Sequence, residues 1–371
     1  MKSKIFFPNL DGLRTLAFLA VFFVHSFYTT HEYIRDANIY AFVRAFFSNG
    51  MLGVNLFFVL SGFLITYLLL NEEEMKSEIN LPNFYIRRFL RIWPLFFACV
   101  FYGFIVEPWI MKLFGEGVEQ TADPLLYVTF LSNFSNINYG ETEAQNLGIL
   151  WSVSIEEQFY LFWPLLLLLF RRRIILCLLL ILVSIVFRYF NAENFHILRW
   201  HTLSVIGDLS VGGLIGLLSF QSNAFVDFFK HLGKWKILMV YIAGFGFIFF
   251  KDDIMNTHTL IAISALIISL FFAFIILEQN YSDHSFFKLK NNKIISSMGK
   301  YTYGLYCLHM IGIAVAKEIC TYLNINNTLF GVLFWQTLLS LTLSMLMSYV
   351  SYEFYEKPFL KLKGKFSFIT R

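Results

Sequence analysis

Charge is scarce in this sequence. Asp, Glu, Lys and Arg make up 15% of its 371 residues, against 57% hydrophobic ones. That balance excludes a water-soluble globule and reads as a polytopic membrane protein. No soluble insert interrupts the apolar segments, so one integral-membrane domain over 1–371 is expected. Cysteine is scarce too: Cys99, Cys177, Cys307 and Cys320 lie in or at the ends of apolar spans without a C-x-x-C pair. They read as buried small hydrophobes. The eight histidines lack metal-ligand spacing, and no metal site is expected. No internal repeat or low-complexity tract is visible, which weakens an inverted-repeat transporter. A small-residue cleavage site is missing after the first apolar run, and Asp11 and Arg14 interrupt that run. Lys2 and Lys4 therefore precede an uncleaved first span rather than a secretory leader.

What is present is a series of long apolar segments. Ten are long enough, or nearly so, to cross a bilayer: 10–29, 51–70, 92–111, 152–170, 174–190, 202–220, 236–250, 258–277, 302–320 and 331–353. The expected fold class is all-α, with about ten transmembrane helices. The apolar stretch 125–131 is too short to cross and is expected as an interfacial or re-entrant helix. Lys and Arg sort unevenly around these spans. Twenty-one fall on the side of the termini, five (Arg35, Arg44, Lys112, Arg199, Lys251) on the other, and Arg14, Arg188 and Lys317 within spans. The positive-inside rule then predicts a multi-pass protein of the cell membrane with both termini cytoplasmic.

Ionisable residues inside a span are costly and usually face a protein interior or a wet path. The first span carries two, Arg14 and His25. Eleven residues separate them, about three helical turns, so they share a face roughly 16 Å apart along the axis. The expected topology puts His25, Glu156, Glu157, Arg188 and Asp208 together in the outer third. A carboxylate beside an imidazole fixes its tautomer and raises its basicity, as a general base requires. His25 with Glu156 is the sharpest such pair. Glu157 is the lesser acid, because adjacent helical residues face different ways, and Glu156 shares its face with Tyr160.

Before the third span, Arg87, Arg88 and Arg91 stand three and four apart, which on a helix end makes a guanidinium cluster suited to phosphates. The alternative is a set of topology anchors, the reading that fits Arg171, Arg172 and Arg173. Gly and Ser61 in the second span suit close helix packing, and Asn55 near its outer end could touch a polar substrate. His309, among Tyr303 and Tyr306, reads equally as a structural histidine or a substrate contact.

Six stretches in order resemble the acyltransferase 3 family of integral-membrane acyltransferases. They are Leu10-Asp11-Gly12-Leu13-Arg14 with His25, the run from Gly53 to Gly62, Arg87-Arg88 to Pro94, Trp151-Ser152 to Tyr160, Tyr303-Gly304-Leu305-Tyr306 with His309, and Glu356-Lys357-Pro358-Phe359. The resemblance covers nearly the whole chain. It implies that His25 is catalytic, that Arg14 and the Arg87, Arg88, Arg91 cluster hold the acyl donor, and that Glu156 belongs to the site. It also implies transfer of an acyl group, usually acetyl, from cytoplasmic acyl-coenzyme A to a hydroxyl, often on a surface sugar. The family often has Asp at the position of Asn55 and His at that of Ile149, so these differences bear on acceptor preference. A stand-alone member without the hydrolase-like extra-membrane domain of some relatives is expected. Its partners would be acyl-coenzyme A as co-substrate, a glycan or other hydroxyl-bearing acceptor and the lipid bilayer, with no nucleic acid. The rival readings are a glycan or lipid transporter or flippase and a membrane-embedded glycan polymerase.

Overall fold

In the computed structural model the described residues are 7–113, 115, 121–142 and 144–367, and among them every regular element is a helix. Lys2, Lys4 and Arg371, counted above in the charge asymmetry, lie outside the described residues. The long helices are α1 (Pro8–Ser26), α2 (Leu52–Lys76), α3 (Leu81–Phe101), α4 (Trp151–Leu169), α5 (Arg173–Phe190), α6 (Thr202–Gln221), α7 (Lys234–Ile254), α8 (His258–Tyr281), α9 (Thr302–Tyr322) and α10 (Thr337–Val350). They fall on the ten expected segments. Helix α3 continues through a π-helical turn, Tyr102–Val106, into Glu107–Leu113, and α10 is flanked by π-helical turns at Gly331–Gln336 and Ser351–Glu356. A helix satisfies its backbone internally, the condition for crossing lipid.

By length and composition alone, seven helices among the described residues can cross a membrane. Helices α1, α4 and α7 have the length but too many polar or charged residues. Asp11 and Arg14 lower α1, Glu156 and Glu157 lower α4, and Lys234, Lys236 and Lys251 flank α7. The first two of these helices are also the ones that carry the candidate chemistry.

Helices α2 and α6 form the tightest pair. A Cβ added to Gly62 would lie 1.9 Å from the Leu209 carbonyl oxygen, and one added to Gly212 would lie 2.1 Å from that of Val59. Only glycine allows this approach, which is how helices associate where lipid removes the hydrophobic drive. Ser269 of α8 and Asn55 of α2 both donate to the carboxylate of Asp208 on α6, locking the three helices. The stretch around 125–131 folds as two short helices, Pro124–Val128 and Ser132–Tyr139, turned back into the protein. Tyr127, Ser132, Asn133 and Asn136 are buried there. Ser132 Oγ and Ser154 Oγ of α4 lie 2.7 Å apart, and Gln158 Nε2 donates to the Phe130 carbonyl at 2.8 Å. Protein groups thus satisfy polar atoms of this buried segment.

Candidate functional site

Helices α1, α2, α3, α4 and α9 enclose two adjoining cavities. The larger, of 490 Å³, opens at the end of the bundle where Arg87, Arg88, Arg91, Lys300, Glu356 and Lys363 gather. The smaller, of 110 Å³, shares Arg14, Arg88, Arg91 and Tyr303 with it and continues past Ser61, Glu156 and Tyr160 to Ser152 and Tyr306. A tapering, partly cationic path thus leads into the bundle.

The three arginines of α3 have separate surroundings. Arg87 is buried, its Nη2 donating to Glu72 Oε2 at 2.7 Å and its Nη1 to the Phe366 carbonyl at 2.9 Å. It braces α3 against α2 and the last described turn of the chain. Arg88 lies over the rings of Phe84 and Tyr160, 5.6 and 5.4 Å from their centroids, and its buried Nε has no hydrogen-bond partner among the described residues. Arg91 lines both cavities. The helical spacing expected from sequence is present, but only Arg88 and Arg91 continue from the wide cavity into the narrow one. Arg14 lies one turn beyond Asp11 on α1 and pairs with it at 2.8 Å.

Glu156 faces the narrow cavity with Ser61 and Tyr160, whose hydroxyls hydrogen-bond each other, and with the charges of Arg88 and Arg91 nearby. Its neighbour Glu157 turns away, Oε2 accepting from Trp93 Nε1 at 2.7 Å while its buried Oε1 has no partner among the described residues. The two acids divide as the helix period requires. The expected pairing of His25 with Glu156 is not formed: no hydrogen bond or ion pair joins them among the described residues. The reason is depth. On α4 it is Ser152 that meets the α9 turn next to His309: its hydroxyl lies 2.6 Å from that of Tyr306, whose ring is 5.9 Å from that of His309. Glu156 stands one turn, about 6 Å, further along the helix.

The group that packs against His25 is His309. Their ring centroids are 5.6 Å apart, with the planes at 51°. His309 is fully buried on α9, and its Nδ1 lies 2.7 Å from the Tyr306 carbonyl. Tyr303, one turn nearer the cationic end, donates its hydroxyl to the Ile92 carbonyl at 2.7 Å.

Two expected members lie elsewhere. Asn55 Nδ2 donates to Asp208 Oδ2 at 2.6 Å, and Ser269 donates to the other carboxylate oxygen, so this pair belongs to the α2–α6–α8 contact. Arg188 Nη1 donates to Ser204 Oγ at 2.7 Å and to the Leu198 carbonyl at 3.1 Å, tying α5 to the start of α6. The outer cluster of five ionisable groups is therefore divided among separate places. Sequence reasoning missed Lys300, Tyr352 and Lys363 in the wide cavity. Glu356 stood at the edge of a quoted motif, which was the available signal.

A family model described as "Acyltransferase domain" matches residues 7–353 of this chain. Over 411 aligned positions the chain is 28% identical to the O-acetyltransferase OatA of Staphylococcus aureus, covering 100% of this chain and 60% of that protein. It is 34% identical over 172 residues to the peptidoglycan O-acetyltransferase OatA of Listeria monocytogenes, covering 44% of this chain and 24% of that protein. No solved structure matches.

Proposed function

The chain belongs to this acyltransferase family, and on that premise we propose that it moves an acetyl group from acetyl-coenzyme A to a glycan hydroxyl across the cell membrane. The observation that carries the proposal is the tapering path from the cationic cavity to Ser152 and Tyr306, where the Tyr306 ring packs 5.9 Å from that of His309 and His309 packs against His25. In this reading the wide, basic end is cytoplasmic and both termini lie on that side, which the Lys and Arg asymmetry supports. The phosphates of the donor bind Arg88 and Arg91, with Arg87 holding the helix that presents them. Guanidinium groups suit phosphate because they offer paired donors. The pantetheine arm runs past Arg14 and Glu156. The rise from Arg14 to His25, roughly 16 Å, is the length it must cover to bring its thioester to the far end.

There His25 acts as general base. It takes the proton of the acceptor hydroxyl as that oxygen attacks the acetyl carbon; the new C–O bond forms, the C–S bond breaks, and the proton passes to the departing sulfur. Glu156, with Ser61 and Tyr160, lines the donor path and keeps Arg88 and Arg91 in place. The names of the relatives, one of them a peptidoglycan O-acetyltransferase, support a cell-wall glycan as acceptor. The test is an assay with acetyl-labelled coenzyme A in membranes containing the protein. Acceptor-dependent release of coenzyme A, with label on glycan, is expected. Movement of a glycan without thioester cleavage would replace this reading with a transporter.

A further inference from the structure

His309 is buried with half of its hydrogen-bonding capacity unused. Its Nδ1 lies 2.7 Å from the carbonyl oxygen of Tyr306, which can only accept. Nδ1 therefore carries the proton, and in a neutral imidazole Nε2 is left as a lone pair. That Nε2 is buried and has no hydrogen-bond partner among the described residues. Burying an acceptor unpaired is costly, so each such group calls for an explanation.

Three rings pack against the His309 ring: Phe18 at 5.8 Å, Tyr306 at 5.9 Å and His25 at 5.6 Å between centroids. Phe18 has no donor. The Tyr306 hydroxyl is engaged with Ser152 at 2.6 Å and the Ile149 carbonyl at 3.2 Å. His25 is the neighbour with an N–H to give. Two imidazoles joined by an N–H···N bond of ordinary length have centroids about 5.2 Å apart, so only a few tenths of an ångström separate this pair from that arrangement.

We propose that His309 is a positioning residue for the transfer: its Nε2 accepts the N–H of His25 and leaves the other nitrogen of His25 as the lone pair that takes the acceptor's proton. This rests on His25 being the base. His309 thereby takes the orienting part that a carboxylate plays elsewhere. When His25 gains the proton it becomes a cation, and the N–H···N bond becomes charge-assisted and stronger. The gain falls in the transition state rather than in donor binding, so it acts on kcat. His309 itself neither gains nor loses a proton.

The experiment compares His309→Asn with His309→Gln, using acetyl-coenzyme A as donor and a soluble N-acetylglucosamine oligomer as acceptor. Asn can still bond the Tyr306 carbonyl but has no atom at the Nε2 position; the amide oxygen of Gln reaches it. We expect kcat of His309→Asn to fall on the order of 10²-fold, the low end for acid–base catalysis. The KM for acetyl-coenzyme A should stay within about twofold, because uniform binding is untouched. His309→Gln should recover about a tenth of wild-type activity. Near-normal kcat in the Asn variant, or equal loss in Asn and Gln variants that are folded by thermal shift, overturns the proposal. If the Asn protein fails to insert, His309→Ala supplied with free imidazole takes its place, and absence of rescue overturns it. The premise is tested separately: His25→Ala active means that His25 is not the base, whereas His25→Ala inactive with His309→Asn active removes only the part assigned to His309.

Discussion

Two buried polar clusters in this bundle have opposite bonding states. At Asp208, each carboxylate oxygen accepts a hydrogen bond, one from Asn55 and one from Ser269, and the cluster lies in the glycine-lined contact of α2 with α6. At His309, one nitrogen is bonded within its own helix, and the other is buried without a partner among the described residues, in a ring packed against that of His25. A satisfied buried network rigidifies the fold around it, whereas an unsatisfied one stores free energy that a reacting partner can release. The comparison separates polar groups that hold helices together from those available for chemistry, although both read as intramembrane ionisable residues in the sequence.

The largest effect should come from removing the base. His25→Ala is expected to lower acetyl transfer by on the order of 10²–10⁴-fold with unchanged thermal stability, since His25 is half-buried and makes no hydrogen bond among the described residues. A stable variant with near-normal turnover, measured by coenzyme A release, would end the functional half of the comparison. Next, Asp208→Ala strands the Asn55 amide donor, at a cost of about 1–3 kcal/mol when buried, while Ser269 keeps the Ala265 carbonyl 2.8 Å away. The expected outcome is a lower melting temperature in detergent, with the KM for donor unchanged in the folded fraction. Loss of kcat without loss of stability would move Asp208 into the chemistry instead.

A smaller effect is expected at the cationic cavity. Arg91→Lys keeps the charge and loses the planar fork, so the KM for acetyl-coenzyme A should rise about tenfold, the loss of one charge-assisted bond. Arg87→Lys should instead reduce stability, because Arg87 bonds Glu72 and the Phe366 carbonyl at once. A KM effect confined to Arg87 would reverse these roles. The smallest effect concerns sidedness: single cysteines at 285–295 and at 125–140 should label from opposite faces of the membrane, and labelling from one face would break the donor-side assignment.

Much of the fold was legible because hydropathy in a membrane chain is a one-dimensional signal. The ten helices fall on the ten apolar segments, and Arg14, Arg88, Arg91 and Glu156 line the cavities as their helical spacing implies. Two of the three helices missing from the seven apolar spans, α1 and α4, carry the polar residues that the proposed chemistry uses; the third, α7, is lowered by its terminal charges. The partners of these residues were less legible. Asn55 meets Asp208 153 residues away, and nothing local distinguishes that meeting from one with a substrate. Glu156 was assigned the level of His25 because span ends are uncertain by about a turn, and a turn is enough to separate two side chains.

The sequence by itself determined an all-helical membrane protein, its resemblance to one acyltransferase family, and the residue types that its chemistry draws on. Those follow from composition and helical spacing, which are local properties. The tertiary structure alone decided that Arg87 braces α3 while Arg88 and Arg91 follow the narrowing cavity, that Asp208 is spent on packing, and that His309 rather than Glu156 stands beside His25. Each of these depends on which faces of distant helices meet and at what depth. A one-turn shift of about 5.4 Å exchanges a carboxylate for a serine, and only the packing of α1, α4 and α9 sets that register.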